Sequence, residues 1–539
     1  MQNKILNYLG YCSVSLFTFL FFSVSSPCQT NKQDASGVRK YTALMQMIKY
    51  TYVDTVNESK LVEKAIVETL KELDPHSMYI SRKDLKRANE ELVGNFEGIG
   101  VQFEILRDTI NIVHPIPGGP SERLGILSGD KIVRIETENV TGKKVTNQFV
   151  FDRLRGKKGT KVNITILRPG KKELLDFTIV RDKIPINSID ASYIIEPGIG
   201  YINLTRFSST SMNEYMDAMS KLRDQGMKDL ILDLRNNGGG YMNTAIELSD
   251  QFLENNKLIV YTEGRMSPRE NFYSTDKGNF EKGKLVIMIN ENSASASEIV
   301  SGAIQDWDRG IIVGRRSFGK GLVQRPFQLP DSSEVRLTTA RYFTPSGRCI
   351  QKPYSEGVDK YYEDYSTRFR HGEMENADSI KFPDSLKFQT SKGRIVYGGG
   401  GIMPDVFIPL DTTPFTDYFL NLRRKNAINL FVGEYVDKNR KDLQRSYPDF
   451  STFDKNFNID EAFMKDFTTL AEDQGVKMDE KQFALSEKLI KSQLKSLIAQ
   501  KLWDVNASFQ VINQYDQEVQ KAVGVIKDDA TFEKFGISR

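Results

Sequence analysis

The spacing of apolar residues changes character along the chain and divides it. Over 38–93, Leu61, Ile66, Leu70 and Leu73 recur at near-helical intervals, which predicts a helical N-terminal region. Asp74-Pro75 ends that helix, because the residue before a proline avoids the helical region. Over 94–183 the pattern shortens into β-prone runs (VQFEI, TINIVH, KIVRIE, VNITIL, DFTIV). Turn signals at Pro117-Gly118-Gly119-Pro120, Ser128-Gly129-Asp130 and Pro169-Gly170 separate them, as expected of a small β-rich module. Over 196–350 strands and helices alternate. Strands are expected at 200–204, 229–234, 258–262 and 285–290. The helix at 242–254 places Ala245, Ile246, Ser249, Phe252 and Leu253 on one face. The helix at 296–307 does the same with Ile299, Val300, Ala303, Ile304 and Trp307. That alternation predicts α/β layering. Residues 355–395 are a polar, Tyr- and charge-rich insertion, and Gly398–Gly401 with Pro404-Asp405 mark a return to compact structure. From about 415 the pattern is helical again. Leu485, Leu489, Ile490, Leu494, Leu497, Ile498 and Leu502 form a stripe suited to core packing rather than to a binding groove.

Composition narrows the class. The 539 residues suit about three or four domains. Lys plus Arg number 74 and Asp plus Glu 71, a formal charge of +3, so nothing in the balance calls for nucleic acid or an anionic membrane surface. Lys4 precedes an apolar run, Cys12 to Val24, that is shorter than the roughly 20 residues of a membrane span. Small residues Ser23, Ser25 and Ser26 follow, so residues 1–28 read as a secretory signal peptide. The alternatives are an uncleaved anchor and a lipidated Cys28, although Ser25-Ser26-Pro27 matches a lipoprotein signal poorly. Cys349 then stands alone in the mature chain, which excludes a disulfide framework. With three histidines, His76, His114 and His371, and no H-E-x-x-H motif, no metal or cofactor is expected.

The candidate chemistry lies in three short segments. Asn292-Ser293-Ala294-Ser295-Ala296-Ser297-Glu298 follows an apolar strand and opens a helix, where a nucleophile is exposed and the helix N-terminus favours negative charge. Ser295 and Glu298 equally fit an S-x-x-E capping box, in which the serine only satisfies an amide. Lys320 lies 25 residues after Ser295 in Ser317-Phe318-Gly319-Lys320-Gly321-Leu322-Val323-Gln324. A lysine acts as a base only if burial lowers its pKa from about 10.4 to roughly 7–8, and Phe318, Leu322 and Val323 offer an apolar wall. If 320–324 is extended, Lys320 and Gln324 point the same way and the amide can orient the amine. Ser317-x-x-Lys320 also matches an S-x-x-K pattern, but the flanking Gly319 and Gly321 oppose the helix it needs and no K-T-G follows. Asp233-Leu234-Arg235-Asn236-Asn237-Gly238-Gly239-Gly240 closes another strand, where glycine amides suit an oxyanion hole. No Gly-Lys-Ser/Thr follows to make it a phosphate loop.

Together, LDPHSMYI (73–80), FEGIGVQFE (96–104), DLRNNGGG (233–240), NSASASEI (292–299), SFGKGLVQ (317–324) and GGGGIMPD (398–405) resemble the C-terminal-processing peptidases, or tail-specific proteases, in order from about 38 to 410. The resemblance implies a multidomain α/β protein. Its crotonase-like protease core spans 184–354 and 396–412, with a PDZ domain at 94–183 and helical regions at 38–93 and 413–539. It implies Ser295 as nucleophile, Lys320 as general base and Gln324 as its orienting partner, with the oxyanion held by Ala296 N–H and a glycine amide, Gly239 or Gly240. The family commonly has proline in the NNPGG turn where this chain has Gly238, which leaves open which glycine faces the site. Asp306 matches an acidic family position without a catalytic role. The PDZ carboxylate loop would be Gly98, Ile99, Gly100 and Val101, whose amides receive a chain terminus while the next strand extends its sheet with the peptide. Partners implied are protein or peptide C-termini, a second copy or an adaptor, and a membrane tether through the N-terminus, with the enzyme in the periplasm or cell envelope. Ligand binding to the PDZ domain would assemble the dyad. Two other readings stay open. One is a PDZ scaffold on a degenerate protease fold, which intact Ser295, Lys320 and Gln324 disfavour. The other is a small-ester hydrolase whose triad recruits one of the histidines.

Overall fold

The computed structural model describes residues 34–142 and 145–537. The signal segment 1–28, with Cys12 and Cys28, lies outside the described residues. No helix among the described residues is long and apolar enough to cross a membrane. The chain divides into two units, one up to Val67 and one from Glu68 onward. The first holds helix Asp34–Thr51 and the start of helix Glu58–Lys71, bridged by an ion pair between Lys49 Nζ and Glu58 at 3.2 Å.

The second unit is built on a six-stranded sheet. Its order is Ile189–Glu196, Ile199–Leu204, Asp229–Asp233, Leu285–Ile289, Ile311–Gly314 and Val406–Phe407. The first pair is antiparallel and the rest are parallel. Ile199–Leu204, Leu285–Ile289 and Ile311–Gly314 are buried at every position, as strands covered on both faces must be. Helices Ser211–Asp224, Met242–Asp250 and Ala296–Asp306 bring Tyr215, Leu222, Leu248, Val300 and Ile304 onto one face. The opposite face is covered by the end of the chain. Val519, Ala522, Val523 and Ile526 of helix Gln517–Lys527, with Phe532 and Ile537, pack on Tyr201, Ile231, Val286 and Met288.

That last layer divides the helical region 413–539 by what it packs on. Residues 418–511 form a helical cluster of their own, in which Ile490, Leu494 and Ile498 are buried and Leu485 is exposed. The final helices pack instead on the six-stranded sheet. Strand Leu258–Gly264 also departs from expectation. It pairs with Glu334–Phe343 and Ser267–Tyr273 in a second, antiparallel sheet that includes Met78–Ile80 and Leu322–Gln328. A short apolar run carries no mark of which sheet it joins.

The PDZ module is threaded in through a two-stranded ladder, Asn95–Gly98 against Asp182–Pro185. Its sheet runs Val101–Leu106, Thr109–Pro115, Lys131–Ile135, Lys161–Leu167, Leu175–Val180 around a core of Ile110, Ile132, Val150, Ile166 and Ile179. It rests on the helical region through Lys501 Nζ–Glu104 at 2.6 Å, Arg107–Glu434 at 2.7 Å and Lys131–Asp437 at 3.3 Å.

Candidate active site

The buried Leu285–Ile289 strand delivers its carboxyl end to a fixed point at the rim of the sheet, where ligands meet open α/β sheets. The chain then turns into helix Ala296–Asp306, which is buried throughout. Ser295 makes the turn with φ 57° and ψ −113°. That conformation lies outside the left-handed helical region and costs a residue with a Cβ on the order of 1–3 kcal/mol. It persists because its neighbours are tied down. Asn237 O accepts Ala294 N–H at 3.0 Å and the Ser297 hydroxyl at 2.9 Å. The Ser293 hydroxyl donates to Leu234 O at 2.8 Å and accepts Asn290 N–H at 2.9 Å. Ser293 and Ser297 are thus buried and committed, whereas Ser295 is partly exposed. The capping box is present in outline, with Ser295 Oγ lying towards the Glu298 amide, but it makes no capping hydrogen bond. That amide donates to the Ser295 carbonyl at 2.8 Å instead.

The glycine loop comes in against this turn. A Cβ on Gly239 would lie 2.8 Å from Ser295 Cβ and 3.0 Å from Ala296 N, and its φ is +101°, so only glycine fits the approach. The Gly239 amide is not an oxyanion donor, however. It donates to Asn237 Oδ1 at 2.9 Å, because the asparagine folds back over its own loop. Among the described residues, the amides of Gly240 and Ala296 have no acceptor.

The loop after strand Ile311–Gly314 carries Lys320 and wraps around Glu298. The fully buried Glu298 carboxylate accepts Ser317 Oγ–H at 2.5 Å and Gly319 N–H at 2.7 Å on Oε1. On Oε2 it accepts Ser295 N–H at 2.8 Å and Lys320 N–H at 2.9 Å. The backbones of Ser295 and Lys320 therefore meet on one oxygen atom. The buried Tyr342 hydroxyl joins them again, on the Lys320 carbonyl and 3.1 Å from the Ser295 carbonyl. Burial pushes the Glu298 carboxyl up to about 7, against the four donors that favour its charged form. Burial likewise lowers the Lys320 amine from the ordinary lysine value, with the Glu298 and Asp74 carboxylates opposing. Among the described residues the amine itself makes no hydrogen bond or ion pair.

Asp74, legible in the sequence only as a helix stop, is a buried acceptor. It takes His76 N–H at 2.8 Å, Ser77 N–H at 2.9 Å, Ser77 Oγ–H at 2.6 Å and Thr338 Oγ1–H at 3.0 Å. His76 is remote from the serine in sequence, yet the fold brings it near Lys320. Burial, then the lysine charge, hold its pKa down to about 4, and its Nε2 lies 2.9 Å from the Tyr361 hydroxyl. No hydrogen bond joins a histidine to Ser295 among the described residues.

Among the described residues, Gln324 makes no hydrogen bond to the Lys320 amine. Strand Leu322–Gln328 starts after Lys320, so the lysine lies outside its alternation, and the irregularity beside Gln324 places the extra residue, Thr339, on the partner strand. Gln324 Nε2 donates to Thr338 Oγ1 at 3.2 Å, and reaches the lysine's surroundings only through Thr338 and Asp74. Asp306 is structural, paired with Arg348 at 2.7 Å with both side chains buried. In the PDZ module, Gly98 closes the ladder opposite Asp182 and Gly100 has φ +73°. Ile99, Gly100 and Val101 line a groove of about 40 Å³ with Phe103, Val150 and Leu154. The groove runs beside the Val101–Leu106 strand, which is the edge of its sheet.

The model of peptidase family S41 matches residues 198–363, which span the glycine loop, the serine turn and the lysine loop. A carboxy-terminal-processing protease of Bartonella bacilliformis is 36% identical over 357 residues, covering 65% of this chain and 81% of the relative. The chain belongs to peptidase family S41. It is therefore a serine peptidase, and a PDZ domain model matches its residues 98–179. A second relative, the carboxy-terminal processing protease CtpA of Bacillus subtilis, is 35% identical over 337 residues, covering 62% of this chain and 71% of CtpA. A solved photosystem II D1 C-terminal processing protease shares 24% identity over 70% of this chain and 88% of its own, with a TM-score of 0.36, too loose a superposition to argue from. Residues 418–504 match a family of unknown function (DUF8443).

Proposed function

We propose that this S41 peptidase cuts protein substrates near their C-termini, with Ser295 as nucleophile and Lys320 as general base. The observation that supports it best is the single Glu298 oxygen that takes both the Ser295 and the Lys320 amides. Two loop residues, 25 positions apart in the chain, are held on one atom at the point where one of them is strained. Strain kept at a partly exposed serine, beside a lysine whose pKa burial lowers, is a functional arrangement rather than a helix cap.

In the reaction the neutral Lys320 amine takes the Ser295 hydroxyl proton as Oγ attacks the scissile carbonyl carbon. The oxyanion forms against the unengaged amides of Ala296 and Gly240, the first of which opens a helix. As the tetrahedral species collapses, the Lys320 ammonium gives its proton to the leaving amine. Water, deprotonated by the same lysine, then hydrolyses the acyl-enzyme and returns the hydroxyl to Ser295. Gln324 acts at one remove, by fixing Thr338 and through it Asp74. The PDZ groove selects tails by adding the peptide as a strand to the open Val101–Leu106 edge, with its carboxylate at Ile99–Val101. The names of the relatives support this tail specificity. The apolar segment Cys12 to Val24 supports export to the cell envelope.

The test is proteolysis of an unfolded protein with a free C-terminus, with released peptides identified by mass. Ser295→Ala and Lys320→Ala should each lower kcat by at least about 10³-fold. If Lys320→Ala cuts normally while His76→Ala is inactive, the assignment fails. Cell fractionation tests the location, and recovery of the native chain in the cytosol would refute export.

A further inference from the structure

Two stems of the site converge on one acid near the end of the chain, and a third reaches it through one of them. Arg235 directly precedes the glycine loop, Glu291 lies on the serine turn, and Arg315 opens the lysine loop. All three sit just past the carboxyl ends of neighbouring parallel strands, Asp229–Asp233, Leu285–Ile289 and Ile311–Gly314. Glu518 bridges the two arginines. Its Oε2 accepts from Arg235 Nη1 at 3.0 Å, and its Oε1 accepts from Arg315 Nη1. Arg235 is also held by Asp233 at 2.7 Å and by Asp516 at 2.9 Å. Arg315 passes the contact on, Nε to Glu291 Oε2 at 2.8 Å, with both side chains buried. The acid is itself fixed. Asp516 caps helix Gln517–Lys527, accepting Glu518 N–H at 2.8 Å, and the apolar face of that helix is packed on the back of the sheet.

We propose that Glu518 is a positioning residue for catalysis, setting the glycine loop, the serine turn and the lysine loop in register from behind. Residues 283 and 203 positions away are tied through its two oxygens, and Glu518 lies beyond the 198–363 span of the family match. Without this carboxylate Arg235 keeps Asp233 and Asp516 and Arg315 keeps Glu291, but the two arginines are no longer tied to each other, which frees the two loop stems to shift independently. Displacements of a fraction of an ångström at such stems lower the turnover step while leaving the remote substrate contacts intact. The structure thus makes the end of the chain part of the peptidase machinery rather than an appended helical region.

The inference rests on the proposed Ser295/Lys320 chemistry, and its test separates the two. In the purified full chain, active sites are titrated with a fluorophosphonate, and kcat per titrated site and KM for a tail peptide are measured for Glu518→Gln. The expected result is a fall in kcat per titrated site of about tenfold, with KM changed by less than about twofold. A kcat per titrated site equal to that of the unmutated enzyme overturns the proposal, even if the thermal midpoint falls. Should Glu518→Gln not fold, Asp516→Asn carries the same comparison, since asparagine still caps the helix while Arg235 loses a charged partner, and a fall of about threefold is expected. Cleavage by Ser295→Ala would instead refute the chemistry on which the inference rests.

Discussion

Ser295 and Lys320 share an oxygen atom, yet the two loops that carry them are held by different means. The serine turn is fixed mostly by its own helix and by the neighbouring glycine loop, through Asn237 O, Leu234 O and the Glu298 carboxylate at the third residue of the helix. The lysine loop leans on the same Glu298 and is otherwise fixed by segments distant in sequence. Arg368, in the polar insertion, donates to Ser317 O at 3.1 Å and to Arg316 O at 2.6 Å. Ile402 N–H donates to Ser317 Oγ at 2.6 Å, and Gln351 Oε1 accepts Gly321 N–H at 2.8 Å. The difference separates two tasks. The nucleophile needs a strained backbone, which a short motif can encode. The base needs a low-dielectric setting, which only distant segments can assemble.

The sharpest way to break this comparison is at the one group common to both halves. Glu298→Gln should lower kcat by about 10–100-fold, because the amide cannot accept four donors as the carboxylate does. It should also move the acid limb of kcat/KM. Only neutral Lys320 accepts a proton, so activity rises with pH through the amine's lowered pKa. The Glu298 charge holds that pKa up, so removing it should shift the limb to lower pH. A limb that stays in place would separate Glu298 from the base.

Gly239→Ala tests the serine half alone. The added methyl would meet Ser295 Cβ at 2.8 Å and Ala294 O at 2.9 Å. It should lower kcat by about tenfold and leave the acid limb where it is. Asp74→Asn tests the lysine half alone and has the smallest effect on rate, less than about tenfold at the alkaline plateau. Its signature is the limb, which should shift to lower pH because the Asp74 carboxylate also supports the charged amine. If Gly239→Ala moves the limb or Asp74→Asn does not, the division between the two halves is wrong.

The same division explains what the sequence could convey. The helices at 242–250 and 296–306 and the strands at 199–204, 229–233 and 285–289 are legible because their apolar positions repeat locally. Glu298 is visible only as a capping partner, since its bonds to Gly319 and Lys320 span 21 and 22 residues with no periodicity to announce them. Asp74 meets Thr338 across 264 residues, and Glu518 meets Arg235 across 283. Such pairs are set by topology, not by spacing. Gln324 shows the converse error. Alternation relates residues of one strand, and Lys320 lies in the loop before the strand begins at Leu322, so the period does not carry across to it. The Gly239 amide was taken up by the side chain of its own neighbour, Asn237, a contact local in sequence but decided by a backbone turn that composition does not specify.

The most direct test of the central claim is to identify, by mass spectrometry, the serine acylated by a fluorophosphonate, at several pH values, in the unmutated chain and in Lys320→Ala. The account predicts a single label on Ser295, forming faster as pH rises, and a label that is slowed and loses that pH dependence when Lys320 is removed. A label on Ser293 or Ser297, or labelling of Ser295 that is unchanged in Lys320→Ala, would contradict it.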